Sequence, residues 1–273
     1  MSYDEPIDAE RLRAELITPV SLWRRIDLVA ETGSTNADLA ERARAGEDSG
    51  TVLIAEHQTA ARGRLGRGWV APAGGSISMS LLVRPATVPA TRWTWLPLLA
   101  GIAVSESLRR AVQIPAELKW PNDVLVRDKK ISGILAERVD GPGGPGCVIG
   151  IGLNVGMTAE QLPVPTATSV RLQPDADEVS RNVLINTVLS AFALLYREWQ
   201  ESADDSALAA AYLNRCGTIG RRVRVVLPPS AGSAGEPEDV VGEAEAIDGD
   251  GRLVIRTDTG RRTFGAADIV HLR

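Results

Sequence analysis

The first quarter of the chain alternates between helical and strand-like patterns of hydrophobic and polar positions. Residues 8–16 have the spacing of a short helix, and an apolar run near residues 23–29 predicts the first core strand. The stretch "GSTNADLAERARAGED" predicts a second helix, because Ser34 or Thr35 can cap its first turn. Residues 50–56, "GTVLIAE", predict a short buried strand.

The middle of the chain predicts a sheet crossed by one long helix. The stretch "SISMSLLVR" alternates over residues 76–81, which is typical of a strand with one buried face. Residues 93–112 predict a long, mostly apolar helix laid across the sheet. Residues 117–155 predict strands separated by Pro-Asn-Asp, Asp-Lys-Lys and Gly-Pro turns, which favours an antiparallel meander. Two closing helices are predicted at residues 180–200 and 205–214.

From Arg221 onward the pattern changes to short strands, several of them separated by Asp-Gly and Thr-Gly turns. About 50 residues of this kind predict a small β-barrel. We therefore expect an α+β protein, with a mixed or antiparallel sheet and flanking helices followed by the barrel. The expected boundaries are an N-terminal extension at residues 1–24, a larger domain at 25–216 and the barrel at 217–273.

Composition limits the classes of function. The chain has 30 Lys and Arg against 35 Asp and Glu, a net charge of −5, so nucleic acid is disfavoured as the main partner. Its N-terminus is acidic and polar and no run of 18 apolar residues occurs, which predicts neither a signal peptide nor a membrane span. Cys147 and Cys216 match no metal spacing, and His57 and His271 cannot form a His-rich site. We expect a cytoplasmic protein with two free thiols.

One segment is strongly basic against this acidic background. "TAARGRLGRGWVAP", residues 59–72, holds three arginines and three glycines between Arg62 and Gly68. Its glycine spacing is not the dinucleotide fingerprint, and no P-loop sequence occurs. The residues alone leave open a solvated charged loop, a nucleic-acid segment and an anion-binding loop. In the last, glycines would let backbone N–H groups approach a phosphate while arginines pair with its oxygens.

Other motifs accompany this loop in a fixed order. "ETGSTNADL", "AEHQTAARGRLGRGW", "LKWPNDVLVRDKKISGIL" and "GIGLNVG" follow one another along the chain. Together they resemble the motifs of the biotin protein ligases, strongly over about residues 25–160 and more loosely in the C-terminal part. The resemblance implies a class II synthetase-like catalytic domain that binds biotin and ATP, followed by an SH3-like barrel.

The resemblance also implies a reaction in two steps. The carboxylate of biotin attacks the α-phosphate of ATP to give biotinyl-5′-AMP, and the amine of a carrier lysine then displaces AMP. Biotin and ATP are the implied substrates, with Mg²⁺ to neutralise charge and an ordered loop to exclude water. The implied partner is a biotin carboxyl carrier domain of an acetyl-CoA, acyl-CoA or pyruvate carboxylase. No DNA or membrane partner is expected, and the chain is expected to be a monomer or a weak homodimer.

Carried over position by position, the resemblance implies a biotin site made of Ser34, Thr35, Asn36, Gln58, Arg62, Gly63, Arg64, Lys130, Gly150 and Gly152. Hydroxyl and amide side chains suit a ureido ring, which offers one carbonyl and two N–H groups. Ser34 and Thr35 also qualify as helix caps, and one residue can do both. Gly150 and Gly152 would leave room for the ring of biotin, with an ordinary sheet glycine as the alternative.

The implied nucleotide-binding residues are Arg64, Arg67, Trp69, Lys119, Asn122 and Asn154. Trp69 either packs on the adenine side or anchors the loop. Lys130 follows Lys129, a pair that is normally a solvated turn, yet its place before "ISGIL" implies charge stabilisation near the α-phosphate. The implied catalytic residues are Lys130, Arg64, Arg67 and Asp123, with Asp123 holding Mg²⁺ or organising the attacking lysine.

Three alternatives remain. A lipoate or octanoate ligase would share the fold. A biotin-responsive DNA-binding repressor is disfavoured, because about 20 residues before the first strand are too few for a helix-turn-helix domain. A non-catalytic adaptor would use only the barrel. Ala61 and Gly68 depart from the family pattern, which often has glycine and a basic residue there, and neither departure changes a residue assigned to the chemistry.

Overall fold

The computed structural model describes residues 3, 5–174, 176, 178–227, 239–265 and 267–272 of the chain. Within these ranges, strands form two sheets with α-helices packed around the larger one. The predicted α+β class and the mixed sheet are confirmed.

Seven of the described strands form the larger sheet, in the order β1-β2-β3-β7-β6-β5-β4. Only the β1–β2 pair is parallel among these strands, and β4 to β7 form the predicted antiparallel meander. The strands are β1 (Arg25–Thr32), β2 (Thr51–Gln58), β3 (Ser76–Val83), β4 (Glu117–Lys119), β5 (Asp123–Val126), β6 (Lys129–Val139) and β7 (Gly146–Asn154).

Helices cover both faces of this sheet. One face packs against α1, α3 and α4 through a large apolar core, and the other packs against α2 through a smaller cluster that includes Leu39 and Leu82. The helices are α1 (Ala9–Leu16), α2 (Thr35–Arg44), α3 (Leu96–Val112), α4 (Arg181–Glu201) and α5 (Ser206–Leu213). None of the helices described is long and apolar enough to cross a membrane.

Two details differ from the sequence-based expectations. The residues predicted to start the long helix form a 3₁₀ turn, Ala90–Trp95, and α3 begins at Leu96 with Pro97 in its first turn, where proline leaves no hydrogen bond unmade. The alternation in β3 was expected to mark one buried and one solvated face, and this was wrong because all eight residues of β3 are buried. Ser76, Ser78 and Ser80 occupy the polar face, and other parts of the protein cover that face as well.

The smaller sheet is antiparallel throughout the residues described, with the strand order β11-β10-β9-β8-β12. Its strands are β8 (Arg222–Val226), β9 (Val240–Ile247), β10 (Leu253–Thr257), β11 (Gly260–Phe264) and β12 (Asp268–His271). Its inward residues, among them Val223, Ile255 and Phe264, belong to the same apolar cluster as α3 and β4. The C-terminal sheet therefore packs directly on the larger body.

Candidate active site

A cavity of about 270 Å³ lies on the α2 face of the larger sheet, under the basic loop. It brings together most of the residues that the sequence predicted for the site. The lining includes Ser34, Thr35, Asn36, Gln58, Arg62, Gly63, Arg64, Arg67, Trp69, Asn122, Lys130, Gly150, Gly152 and Asn154. Lys119 and Asp123 do not line the cavity and stand behind Lys130.

One end of the cavity, at the start of α2, is lined by uncharged polar side chains joined by hydrogen bonds. Ser34 caps the helix by accepting from the Ala37 N–H at 3.4 Å, and it also lines the cavity. Gln58 Oε1 accepts from the backbone N–H of Thr35 at 2.7 Å and from the Thr35 hydroxyl at 3.0 Å. The β2 strand end and the helix start are thereby tied together, and both present polar atoms to the cavity.

Two residues that the sequence analysis did not assign to the site complete this network. Ser80 Oγ lies 2.8 Å from Thr35 Oγ1 and 2.9 Å from Asn36 Oδ1, so its one proton can go to either oxygen. Asn36 Nδ2 donates to Glu137 Oε2 at 2.5 Å, which turns Asn36 Oδ1 towards Ser80. The alternating serines of β3 were a signal for Ser80, because a polar face on an otherwise apolar strand needs a polar partner. The sequence carried no comparable signal for Glu137.

Glycines on β6 and β7 make room for protein side chains at the cavity wall. A Cβ on Gly150 would lie 2.5 Å from Asn36 Oδ1, and a Cβ on Gly152 would lie 2.6 Å from Trp69 Cε2. Gly133, which pairs with Gly152, would bring a Cβ to 3.0 Å from Lys130 Cε. The family resemblance implies that this room admits the ring of biotin. The Asn36 amide packs over Gly150 and the Trp69 indole over Gly152, and all four residues also line the cavity.

The basic loop folds back on itself as a small hairpin above the cavity. The Gly63 N–H donates to the Arg67 carbonyl at 2.6 Å, and the Trp69 N–H donates to the Ala61 carbonyl at 3.0 Å. The turn has positive φ at Leu65 (55°) and at Gly66 (72°). At position 66 the residue is glycine, which adopts this conformation at little cost. The hairpin holds Arg64 and Arg67 on the side of the C-terminal sheet.

Arg64 is the loop arginine with partners on two other segments. Its Nη1 donates to Asn122 Oδ1 at 3.2 Å and to the Ala267 carbonyl at 3.3 Å. Burial lowers the pKa of the Arg64 guanidinium, while the charges of Asp268 and Asp123 oppose that shift. A guanidinium is still fully charged at neutral pH, so Arg64 brings a partly desolvated cation to the cavity.

A compact group of opposite charges lies at the same end. Lys130 Nζ is 2.5 Å from Asp123 Oδ1, and Lys119 Nζ is 4.0 Å from Asp123 Oδ2. Burial lowers the pKa of Lys119, and the Asp123 carboxylate opposes the shift. Lys130 Nζ also lies 5.7 Å from the centre of the Trp69 ring, which places its charge over an aromatic face. The single carboxylate of Asp123 therefore lies beside two ammonium groups, and the three side chains together carry a net positive charge.

The remaining assigned residues are positioned by the backbone around them. Asn154 Nδ2 donates to the Thr168 carbonyl and Asn122 Nδ2 donates to the Ile134 carbonyl, each at 2.9 Å. His57 pairs with Glu31 at 2.9 Å and does not line the cavity. The Trp120 indole is buried and donates to Gly251, consistent with a packing role.

A resident metal site is not evident in the residues that the structure describes. No group of three or more His, Cys, Asp or Glu residues in the described ranges could hold a metal ion. The only carboxylate paired with Lys130 among these residues is Asp123. A Mg²⁺ ion commonly takes one or two carboxylates and completes its octahedral shell with water and substrate phosphates. A Mg²⁺ ion held by Asp123 would therefore take its remaining ligands from water and phosphate oxygens.

Comparison with known proteins gives consistent matches over the whole chain. The family model for the biotin/lipoate A/B protein ligase family matches residues 29–154, and the model for the biotin protein ligase C terminal domain matches residues 218–272. The chain is 46% identical over 274 residues to biotin--[acetyl-CoA-carboxylase] ligase of Mycobacterium tuberculosis, covering 98% of this chain and 97% of that protein. It is 31% identical to the bifunctional ligase/repressor BirA of Bacillus subtilis, covering 89% of this chain and 72% of that protein.

A solved structure shows the same architecture. The biotin protein ligase from Aquifex aeolicus in complex with biotin and ATP superimposes with a TM-score of 0.75 at 26% identity. The match covers 92% of this chain and 100% of that chain.

Proposed function

The chain belongs to the biotin protein ligase family, and from this premise we propose that it joins biotin to a lysine of a carrier protein in the cavity under the basic loop. The enzyme uses ATP and biotin as substrates. The biotin carboxylate attacks the α-phosphorus, pyrophosphate leaves, and biotinyl-5′-AMP forms. The amine of the carrier lysine then attacks the acyl carbon, an amide bond forms, AMP leaves, and the amine loses a proton.

The observation that carries the assignment is the division of one cavity into an uncharged end and a cationic end. Thr35 and Gln58 stand at the uncharged end, while Arg64 and Lys130 stand at the cationic end. Biotin has a neutral ureido ring at one end and a carboxylate at the other, so the two ends of the cavity match the two ends of the molecule. The nucleotide phosphates would lie against the same cationic end.

At the uncharged end, we assign the ureido ring of biotin to Ser34, Thr35, Asn36 and Gln58. The Thr35 hydroxyl and the Asn36 amide are held by Gln58, Ser80 and Glu137, so their donors and acceptors are oriented before biotin binds. Such preorganisation reduces the entropy lost on binding. Gly150 and Gly152 support this end indirectly, by admitting Asn36 and Trp69 to the cavity wall.

At the cationic end, Arg62, Gly63, Arg64 and Lys130 are assigned to the biotin carboxylate and the α-phosphate. Both reactants are anions, so catalysis of the first step consists mainly of bringing them together and neutralising their charge. Arg67, Lys119, Asn122 and Asn154 would support the nucleotide, and Trp69 would cover it from the loop side. Mg²⁺ would supply further charge neutralisation on the phosphates, with Asp123 as its protein ligand.

Asp123 has a second assignment in the transfer step. It holds Lys130 by an ion pair at 2.5 Å, and its side chain is 18% exposed. A carrier lysine that approaches the acyl carbon arrives as an ammonium and must lose a proton before it can attack. A carboxylate beside the cationic end can position that ammonium.

The proposed partner is a biotin carboxyl carrier domain of a carboxylase, because the name of the Mycobacterium tuberculosis relative gives acetyl-CoA carboxylase as the target of that protein. Carrier domains of acetyl-CoA or acyl-CoA carboxylase are the first candidates on this ground, with pyruvate carboxylase as a further candidate.

We also propose boundaries of 1–24, 25–216 and 217–273 for the extension, the catalytic domain and the C-terminal domain. The larger described sheet lies within the second range and the smaller within the third. We further propose that the protein is a monomer or a weak homodimer.

The test of the acid substrate is ATP–pyrophosphate exchange, run with biotin, with lipoate or octanoate, and with neither. Exchange that depends on biotin supports the assignment. Exchange with lipoate or octanoate alone would move the chain to the sister activity within the family, and no exchange with any acid would favour the non-catalytic adaptor. The repressor alternative is not favoured. The Mycobacterium tuberculosis relative, whose match covers 98% of this chain and 97% of that protein, is named as a ligase alone.

A further inference from the structure

The C-terminal sheet is fixed to the catalytic body by two buried tryptophans. Trp95, the last residue of the 3₁₀ turn before α3, and Trp120, between β4 and β5, are 0% and 1% exposed. Their indole N–H groups donate to the carbonyls of Gly249 and Gly251, each at 2.9 Å, in the turn between β9 and β10. Two hydrogen bonds from buried indole rings hold the turn in one place, so the rest of the sheet has a defined position relative to the cavity.

From this anchored sheet, the beginning of β12 reaches the basic loop. Asp268 Oδ1 accepts from Arg67 Nη2 at 2.8 Å, and the Ala267 carbonyl accepts from Arg64 Nη1 at 3.3 Å. Asp268 pairs with Val226 of β8 in the ladder, and Ala267 is buried, so the sheet sets the position of both acceptors. The two contacts join segments about 200 positions apart in the chain.

Holding Arg67 holds the whole hairpin of the loop. The Arg67 carbonyl accepts from the Gly63 N–H, and Arg67 Nε donates to the Arg64 carbonyl at 3.4 Å. Arg64 in turn reaches Asn122 at the cationic end of the cavity. The Asp268 carboxylate also acts electrostatically on this end of the cavity. Burial lowers the pKa of Arg64 and of Lys119, and the negative charge of Asp268 opposes both shifts.

We propose that Asp268 is a positioning residue, through which the C-terminal sheet holds the basic loop closed over the cavity. It touches no reacting atom and acts through Arg67, with the Ala267 carbonyl as a second contact. Its effect is on retention of the biotinyl-adenylate between the two steps, and the inference therefore rests on the proposed function. The C-terminal domain would thus serve the catalytic site directly.

The test compares wild type with Asp268→Asn, which keeps the size of the side chain and removes its charge. Enzyme loaded with labelled biotinyl-adenylate is isolated, and release of the label is followed without carrier. Arg67 is exposed, so the ion pair is a modest one, and we expect release to be about two- to fivefold faster in Asp268→Asn. An arginine-specific protease should cut the loop at Arg64 or Arg67 faster by a similar factor. Asp268→Glu should restore retention at least in part.

Glu243→Gln is the matched control, because Glu243 pairs with Arg256 at 2.7 Å within the same sheet and away from the loop. It should leave both the release and the cleavage rates at the wild-type values. Equal rates for Asp268→Asn and wild type would overturn the proposal, as would an equal acceleration in Glu243→Gln, which would indicate general loosening of the sheet. If wild type forms no adenylate, the proposed function fails, and the cleavage rates still decide whether Asp268 holds the loop.

Discussion

The two ends of the cavity are built in different ways. The uncharged end consists of side chains on α2, β2 and β3, held by hydrogen bonds between regular elements. The cationic end combines Lys130 and Asp123 at the ends of β6 and β5 with the basic loop and a contribution from the C-terminal sheet, and it is held partly by ion pairs. The uncharged end is therefore as rigid as the sheet that carries it, whereas the cationic end depends in part on segments that can separate.

This difference matches the demands of the two steps. The ureido ring of biotin stays in place throughout, so a fixed site suits it. The phosphates and the acyl carbon must be covered while the adenylate waits and uncovered when the carrier lysine arrives. Contacts of low individual strength, such as the exposed Arg67–Asp268 pair, can open and close without unfolding the core.

The strongest test of the cationic end is Lys130→Ala. It removes the ammonium group that lies 2.5 Å from Asp123 Oδ1. The Lys119 ammonium, 4.0 Å from Asp123 Oδ2, remains. We expect biotin-dependent ATP–pyrophosphate exchange to fall by about 10²- to 10³-fold in kcat/KM, the usual effect of losing one group that stabilises transition-state charge. Lys129→Ala is the control, because the Lys129 side chain is exposed and does not line the cavity. Similar losses in both variants would remove the special role of Lys130.

The rigidity of the uncharged end is tested by Gly150→Ala. The new Cβ would lie 2.5 Å from Asn36 Oδ1, and Asn36 cannot turn away freely because Glu137 holds its Nδ2. Overpacking of this kind costs about 1–3 kcal/mol of folding free energy. We expect a lower unfolding midpoint together with a raised KM for biotin and an unchanged KM for ATP. Gly249→Ala, with open space around its Cβ, should change neither KM; a wild-type KM for biotin in Gly150→Ala would show that this end is not rigid.

The local sequence predicted the helix start at Ser34, and the structure has it there. The assignment of Ser34 to Asn36 and of Lys130 to the site came from the family resemblance of short motifs, and the structure brings these residues to one cavity. Ser80 was missed, since alternation along β3 shows which residues share a face and does not show what covers it. Asp268 and Glu137 were missed for a related reason, as each acts on a residue more than 100 positions away. Long-range contacts of this kind depend on sheet order and domain packing.

The attachment of the C-terminal sheet should weaken in acid. Burial lowers the pKa of His271 to about 4 from 6.5, helped by the charges of Lys119 and Arg221 and opposed by Asp128 and Asp123. The unfolded chain then binds the proton more tightly than the folded one, so stability is complete above pH 6.5 and falls as the pH drops towards 4.

The measurement is the unfolding free energy at pH 7 and pH 5, where we expect a loss of about 1–2 kcal/mol from this group. His271 Nε2 lies 3.1 Å from the Thr218 hydroxyl, a contact that a glutamine can replace. His271→Gln should therefore show a smaller loss between the two pH values. An identical pH dependence in wild type and His271→Gln would contradict the assignment.

The smallest effect expected at the uncharged end belongs to Ser80→Ala, which tests whether the Ser80 hydroxyl orients Thr35 and Asn36. The change removes a hydroxyl that bonds either Thr35 or Asn36 and leaves the strand intact. One uncharged hydrogen bond contributes about 1 kcal/mol, so the KM for biotin should rise about fivefold while the KM for ATP stays constant. Ser78→Ala is the control, because the Ser78 hydroxyl contacts Ser76 on the same face at 3.4 Å and does not line the cavity. If both variants bind biotin as wild type does, Thr35 and Asn36 are oriented by Gln58 and Glu137 alone. The uncharged end would then need fewer contacts than the structure provides.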